Sequence, residues 1–206
     1  MKHGGHSTVA SVTDLMSNFW LDESVPEEWR KGTIVKLLIK GDTSDCNNWR
    51  GITLLSVPGK VFCTIMVIRL RDAVDTVLRN EQAGFRRRRS CREQIFTLRN
   101  IIKQCLEFRK PLFLNFIVFT KHFDSVHRES LWHIARLYCI PQQYINIFKR
   151  LYLNSSYCVK TDLGLTEFFH IVTSVRQGCV LSPFLFLLMV DFVRRKAIIG
   201  PSLGIK

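Results

Sequence analysis

Residues 111–119, PLFLNFIVF, carry a single polar side chain, Asn115, and this run constrains the fold more than any other stretch. Phe, Ile and Val favour a pleated, packed backbone. Apolar residues fall on both faces of the two-residue period, so the run reads as a buried strand, central in its sheet and expecting neighbours. Thr120 and Lys121 break it into a polar turn, and a helix is expected to begin near Ser125. The end of a strand beside a turn is where a rigid scaffold presents chemistry. Residues 116–126 are therefore the first candidate site.

The remaining pattern is mixed. Residues 1–11 read as a flexible leader. Residues 12–21 form a helix, with Leu15, Met16, Phe19 and Trp20 to one side, and Pro26 opens a turn at a first helical position. Residues 32–39 are β-branched and apolar, hence a strand. Residues 57–78 repeat apolar side chains every three or four places and are helical. A polar break at 79–90 precedes a helix at 92–108. Helices follow around 130–138 and 141–152, strands at 157–161 and 166–173 flank a turn at Asp162, and a last helix covers 181–197. The fold class is α+β, with strands antiparallel rather than in regular βαβ alternation.

Thirty Lys and Arg against seventeen acids give a net charge of +13, and 47% hydrophobic residues mark a globular chain rather than a disordered one. Such an excess on a folded domain points to an anionic partner, nucleic acid first and an acidic membrane surface second. Arg86, Arg87, Arg88 and Arg89 stand in a row, with Arg92, Arg99, Lys103, Arg109 and Lys110 close behind. They have the charge density of a phosphate clamp, and Arg86, Arg87, Arg89 and Arg92 are the candidate nucleic-acid contacts.

Seven cysteines without a C-x-x-C pair indicate reduced thiols, mostly in the core, in an intracellular protein of cytoplasm or nucleus. His122, His127 and His133 match no metal-helix spacing, and His3 and His6 belong to the expected leader. No run approaches the ~20 apolar residues of a membrane span. Gly59-Lys60 fails as a P-loop because Val61 stands where Ser or Thr is needed. Neither G-x-S-x-G nor H-E-x-x-H occurs.

Two motifs carry a resemblance. FIVFTKHFDSV at 116–126 and SVRQGCVLSP at 174–183 resemble the palm motifs F-x-D-x-x-K-A-F-D-S-V and G-V-R-Q-G-C-x-L-S-P of reverse transcriptases from non-LTR (LINE-type) retrotransposons. VPEEWRKGTIV at 25–35, KGD at 40–42, NWRGITLL at 48–55 and GKV at 59–61 look like the fingers of the same family. QAGFR at 82–86, followed by Arg89-Ser90, is similar to its Q-x-G-F-x-x-x-R-S element.

The resemblance implies the fingers and partial palm of a right-hand polymerase fold: a fingers-like region at 12–110 and a partial palm at 111–206. The family activity is RNA-templated DNA synthesis with Mg²⁺ and deoxynucleotide triphosphates, so RNA or an RNA–DNA hybrid is the expected partner, with no membrane. Phe123, Gln177, Gly178 and Arg50 fall at nucleotide-binding positions. Phe123 matches the aromatic gate under the incoming sugar, with plain core packing as the other reading; Asp124 matches a retained aspartate expected to cap the following helix. Four positions depart from the pattern. Val118 stands at the metal-binding aspartate, His122 at the usual Ala, and Ser174 and Arg88 at positions where Gly is usual. The Y-x-D-D hairpin is not present, residues 200–206 resembling its lead-in. No cofactor is expected, no catalytic residue is intact, and the chain reads as an inactive remnant. A non-enzymatic basic domain binding RNA or a hybrid, or a fragment of an active polymerase, remain alternatives.

Overall fold

Parallel neighbours in a sheet require a crossover, and one such pair organises this chain. In the computed structural model, which describes residues 5–119 and 123–197, strand β1 (Lys31–Leu38) lies between two partners. On one edge β2 (Trp49–Leu54) runs antiparallel, pairing Leu38 with Trp49 and Thr33 with Leu54. On the other edge β3 (Ser156–Thr161) runs parallel, pairing Lys31 with Ser156. Two short antiparallel strands, β4 (Gly164–Leu165) and β5 (Phe169–His170), complete the sheet beside β3. The sheet is mostly antiparallel, with its single parallel pair at the centre.

Six helices accompany these strands among the described residues: α1 (His6–Leu21), α2 (Val57–Val77), α3 (Cys91–Glu107), α4 (Arg128–Leu137), α5 (Gln142–Tyr152) and α6 (Leu181–Ala197). Their starts follow local chemistry. Ser56 accepts from the Gly59 amide at 3.2 Å at the head of α2, whose first turn also carries Pro58. Ser90 and Glu93 form a capping box at the head of α3.

The core is helical. Phe62, Met66, Leu70 and Val74 of α2 meet Leu131, Ile134 and Ala135 of α4, Ile145, Phe148 and Leu151 of α5, and Leu185 and Leu188 of α6 in one buried cluster. Phe19 of α1 reaches it edge-on through Trp29, ring centroids 4.9 Å apart. Asp191 is fully buried there. It accepts from Tyr138 at 2.6 Å, Arg195 at 2.7 Å and Arg79 at 3.2 Å. Burial opposes its ionisation, but these donors outweigh it and hold the carboxyl below the usual range.

Four expectations are corrected. Residues 111–119 form no strand, and Phe113, Phe116, Ile117 and Val118 are exposed. They pair with no strand of the described sheet, and apolar spacing alone does not make a strand without a ladder partner. The leader is helical from His6 onward, although residues 1–4 lie outside the described residues. The long strand expected at 166–173 is reduced to β5, because Thr166 turns back to satisfy Val159 through both its amide and its hydroxyl. The helix expected near Ser125 starts at Arg128, capped by His127. Residues 200–206 lie outside the described residues.

All seven cysteines are free thiols; Cys63, Cys158 and Cys179 are buried, while Cys46, Cys91 and Cys139 are exposed. No helix among the described residues is long and apolar enough to cross a membrane.

Candidate functional site

Three segments far apart in sequence are tied together by main-chain hydrogen bonds at the mouth of the sheet. The Thr53 amide of β2 donates to the Gln177 carbonyl at 2.7 Å, the Val175 amide to the Phe123 carbonyl at 3.0 Å, and the Ser174 amide to the Val126 carbonyl at 3.0 Å. Loop 174–178 is thus the clasp between β2 and the turn that follows residue 122. Gly178 makes the clasp possible. Its φ is +108°, and a Cβ there would lie 2.4 Å from the Thr53 carbonyl oxygen.

Two arginines brace the loop from below. Arg176 is buried, donating to the carbonyls of Trp29 (2.8 Å) and Leu151 and stacking 5.0 Å from the Tyr152 ring. Arg128 donates to the carbonyls of Ser174 at 3.1 Å, Thr173 at 2.9 Å and Tyr152 at 3.0 Å. Arg128 was not a candidate from sequence, and Arg176 was one only as part of the motif loop 176–178 expected to line the nucleotide. The carbonyls both satisfy come from segments that only folding brings together.

In front of the clasp opens a cleft of about 580 Å³, lined in part by Arg50, Gly51, Val118, Phe119, Phe123, Asp124 and Gln177. Every nucleotide-pocket candidate except Gly178 therefore lines one space with Val118, and Gly178 adjoins it through Gln177. A smaller cavity of about 150 Å³ shares Gly51, Asp124 and Gln177 and runs back toward Thr53 and Tyr157. Phe123 is half-buried, its ring 5.0 Å from Phe186 of α6. Asp124 is exposed and caps no helix; it accepts from Gln177 Nε2 at 3.4 Å. Lys121 and His122 lie outside the described residues.

Chemistry on phosphate esters by paired divalent cations needs several convergent carboxylates. The described lining of the cleft offers one, Asp124, while Val118 occupies the neighbouring segment with a side chain that has no donor atom. Among the described residues, no three His, Cys, Asp or Glu side chains gather to hold a metal ion. The donor set of the described residues does not fit a two-metal site.

The arginine cluster divides. Arg86 is buried, donating through Nε to Asp75 at 2.7 Å and through its terminal nitrogens to the carbonyls of Arg79, Gln82 and Asp75. The same hydrogen bond holds the Asp75 carboxyl below its usual range. Its donors are spent inside the fold, so Arg86 is corrected from a phosphate contact to an anchor. Asp75, eleven residues earlier on α2, was the signal that could have found this. Arg87, Arg88 and Arg89 are exposed, as is Arg92 on the first turn of α3.

Comparison with known proteins follows the same outline. A family model described as reverse transcriptase (RNA-dependent DNA polymerase) matches residues 38–198. The chain is 27% identical over 169 residues to the transposon TX1 uncharacterized 149 kDa protein of Xenopus laevis, covering 81% of this chain and 13% of that protein. It is 27% identical over 168 residues to the retrovirus-related Pol polyprotein from type-1 retrotransposable element R2 of Popillia japonica, covering 81% and 23%. A probable RNA-directed DNA polymerase from transposon BS of Drosophila melanogaster is 26% identical over 165 residues, covering 78% and 18%. The chain thus spans less than a quarter of the length of these relatives.

Proposed function

The chain belongs to the reverse transcriptase (RNA-dependent DNA polymerase) family, as a domain of retrotransposon origin, and from that premise we propose that its cleft holds nucleic acid and a nucleotide without joining them. Residues 12–110 serve as fingers and the segment from 111 as partial palm. Arg50 reaches the triphosphate or template, and Phe123 packs under the incoming sugar. Gln177 and Gly178 line the nucleotide, the glycine letting main chain come close. RNA or an RNA–DNA hybrid runs over Arg87, Arg89 and Arg92, which neutralise its phosphates.

The observation that carries the inactive reading is Val118. It lines the cleft with Phe123 and Asp124, at the position where the motif has a carboxylate. Attack of a 3′ hydroxyl on an α-phosphate builds negative charge on both the entering and the leaving oxygen, and one exposed carboxylate cannot hold the cations that offset it.

The test is a labelled RNA–DNA primer–template, titrated with the chain at two salt concentrations and then incubated with deoxynucleotide triphosphates and Mg²⁺ or Mn²⁺. Binding should weaken steeply with salt, by roughly 0.7–0.9 log units per phosphate contact per decade, with no primer extended. Extension by the unaltered chain overturns the inactive reading. Salt-independent binding, or none at low salt, overturns the binding reading.

A further inference from the structure

Phe85 occupies a backbone conformation that a bulky side chain rarely adopts. The turn 83–86 closes with the Arg86 amide donating to the Ala83 carbonyl at 3.4 Å, and its third position has φ +59°. That position favours glycine, yet Gly84 stands one place earlier and Phe85 takes the strain. Strain of this kind persists only where the surroundings enforce it, and it clusters at sites that bind. The enforcing contact is visible: Arg86, the next residue, is pinned by its four hydrogen bonds to Asp75, Arg79 and Gln82.

The strain does not serve burial. Phe85 remains 63% exposed, though its ring forms part of the wall of a cavity of about 120 Å³. On the other side of the anchored arginine stand Arg87, Arg88 and Arg89, all exposed, with Arg88 also at φ +59°. The turn therefore displays one aromatic ring and three guanidinium groups from a rigid base.

We propose that Phe85 is a stacking platform for an unpaired base, and that Arg87, Arg88 and Arg89 hold the flanking phosphates of a single strand of nucleic acid. This rests on the nucleic-acid reading above and adds to it a surface outside the cleft, with a preference for unpaired bases. Stacking on an aromatic ring is open to any base, because every base has a π-face, and combines with phosphate contacts in single-strand binding. A membrane surface fits less well: interfacial binding needs a broad apolar face, usually of an amphipathic helix, and this turn offers one ring.

The full chain is titrated with three fluorescein-labelled RNA probes of equal length: a single strand, a strand of abasic sites, and a duplex. The unaltered chain should prefer the single strand over the abasic strand by about tenfold or more, from one stacked base, with the duplex trailing the single strand. Phe85→Leu should bring single and abasic strands within about twofold of each other, while Phe85→Trp keeps the gap. Arg87→Gln with Arg89→Gln should weaken both strands and flatten the salt dependence by about two phosphate contacts, leaving the gap in place. Phe85→Gly relieves the backbone, so the chain should melt higher while losing the gap; a purely structural phenylalanine would leave the gap unchanged.

A gap that survives Phe85→Leu, or unaltered chain that binds single and abasic strands equally, overturns the stacking proposal and leaves the nucleic-acid reading standing. Absence of binding to all three probes overturns both. Binding to phosphatidylserine vesicles that Phe85→Leu abolishes, with strand binding unaffected, overturns it in favour of a membrane surface.

Discussion

Gly178 lies so close to Thr53 that a Cβ on it would come within 2.4 Å of the Thr53 carbonyl oxygen. The obstacle is main chain, not a flexible side chain that could swing away. Gly178→Ala should therefore part the loop from β2 and cost about 2 kcal/mol or more, since the φ of +108° adds its own strain. Urea denaturation measures the loss. Nucleotide affinity should fall with it, because Gln177, whose carbonyl receives the Thr53 amide, moves with the loop. A variant as stable as the parent would show that the clasp does not hold the cleft.

Ser174 and Arg88 sit at φ +76° and +59°, and both stand where the motifs they resemble have glycine. Each pays for a left-handed backbone that glycine adopts freely. Ser174→Gly should raise stability by up to about 1 kcal/mol, the relief being partly offset by the greater freedom of glycine in the unfolded chain. Arg88→Gly should do the same while weakening RNA binding through the lost charge. Thermal melts of the two variants decide it, and a fall in both would refute the strain.

These two positions show how far the sequence could be read. Regular helical spacing was legible, that of Val61, Phe62, Ile65, Met66 and Leu70 marking α2, whereas the apolar run 111–119 suggested a strand that does not form. The motif residues Phe123, Asp124 and Gln177 line one cleft with Arg50. What rests on distant partners was not legible. Asp191 takes its donors from Arg79, Tyr138 and Arg195, and the parallel pairing of Lys31 with Ser156 spans the helices between them. Arg86 looked like surface charge because charge density is a property of sequence, whereas its burial depends on Asp75 facing it across a turn.

Asp191 should make stability depend on pH. Its folded-state pKa lies below the unfolded value, so its contribution is present above the ordinary carboxylate range and is lost as pH falls through the folded value. Asp191→Asn should cost about 3–5 kcal/mol at neutral pH, because the Arg79 and Arg195 guanidinium groups lose the carboxylate between them. Urea melts at descending pH should show the parent losing more stability than the variant over the acid range. Equal slopes would mean that the buried carboxylate is not what the acid transition titrates.

Phe113, Phe116 and Ile117 are 93%, 74% and 73% exposed, and on α3 Phe96 and Leu106 are 66% and 74% exposed. An exposed apolar surface of this size favours association with other chains. The chain should self-associate at micromolar concentration, and Phe116→Lys with Ile117→Glu should reduce this without lowering the melting temperature, since neither side chain is packed. Sedimentation velocity over a concentration series reads the outcome. A monomer with a sharp, reversible melt across that range would show the surface to be harmless.

Val118→Asp places a carboxylate at the position of the motif's aspartate. In a buried strand that charge would cost at least a few kcal/mol. Here Val118 is 86% exposed, so the substitution should change stability by no more than about 0.5 kcal/mol. It should not restore primer extension. With Asp124 it would bring the described carboxylates of the cleft to two, one of them receiving Gln177, and two cations about 3.5–4 Å apart need more oxygen ligands than these supply. Extension should require Val118→Asp together with a grafted hairpin bearing two further aspartates. Each single repair should stay silent with Mg²⁺ and with Mn²⁺. Extension by Val118→Asp alone would mean that one missing carboxylate was the whole defect and that residues outside the cleft lining complete the metal site.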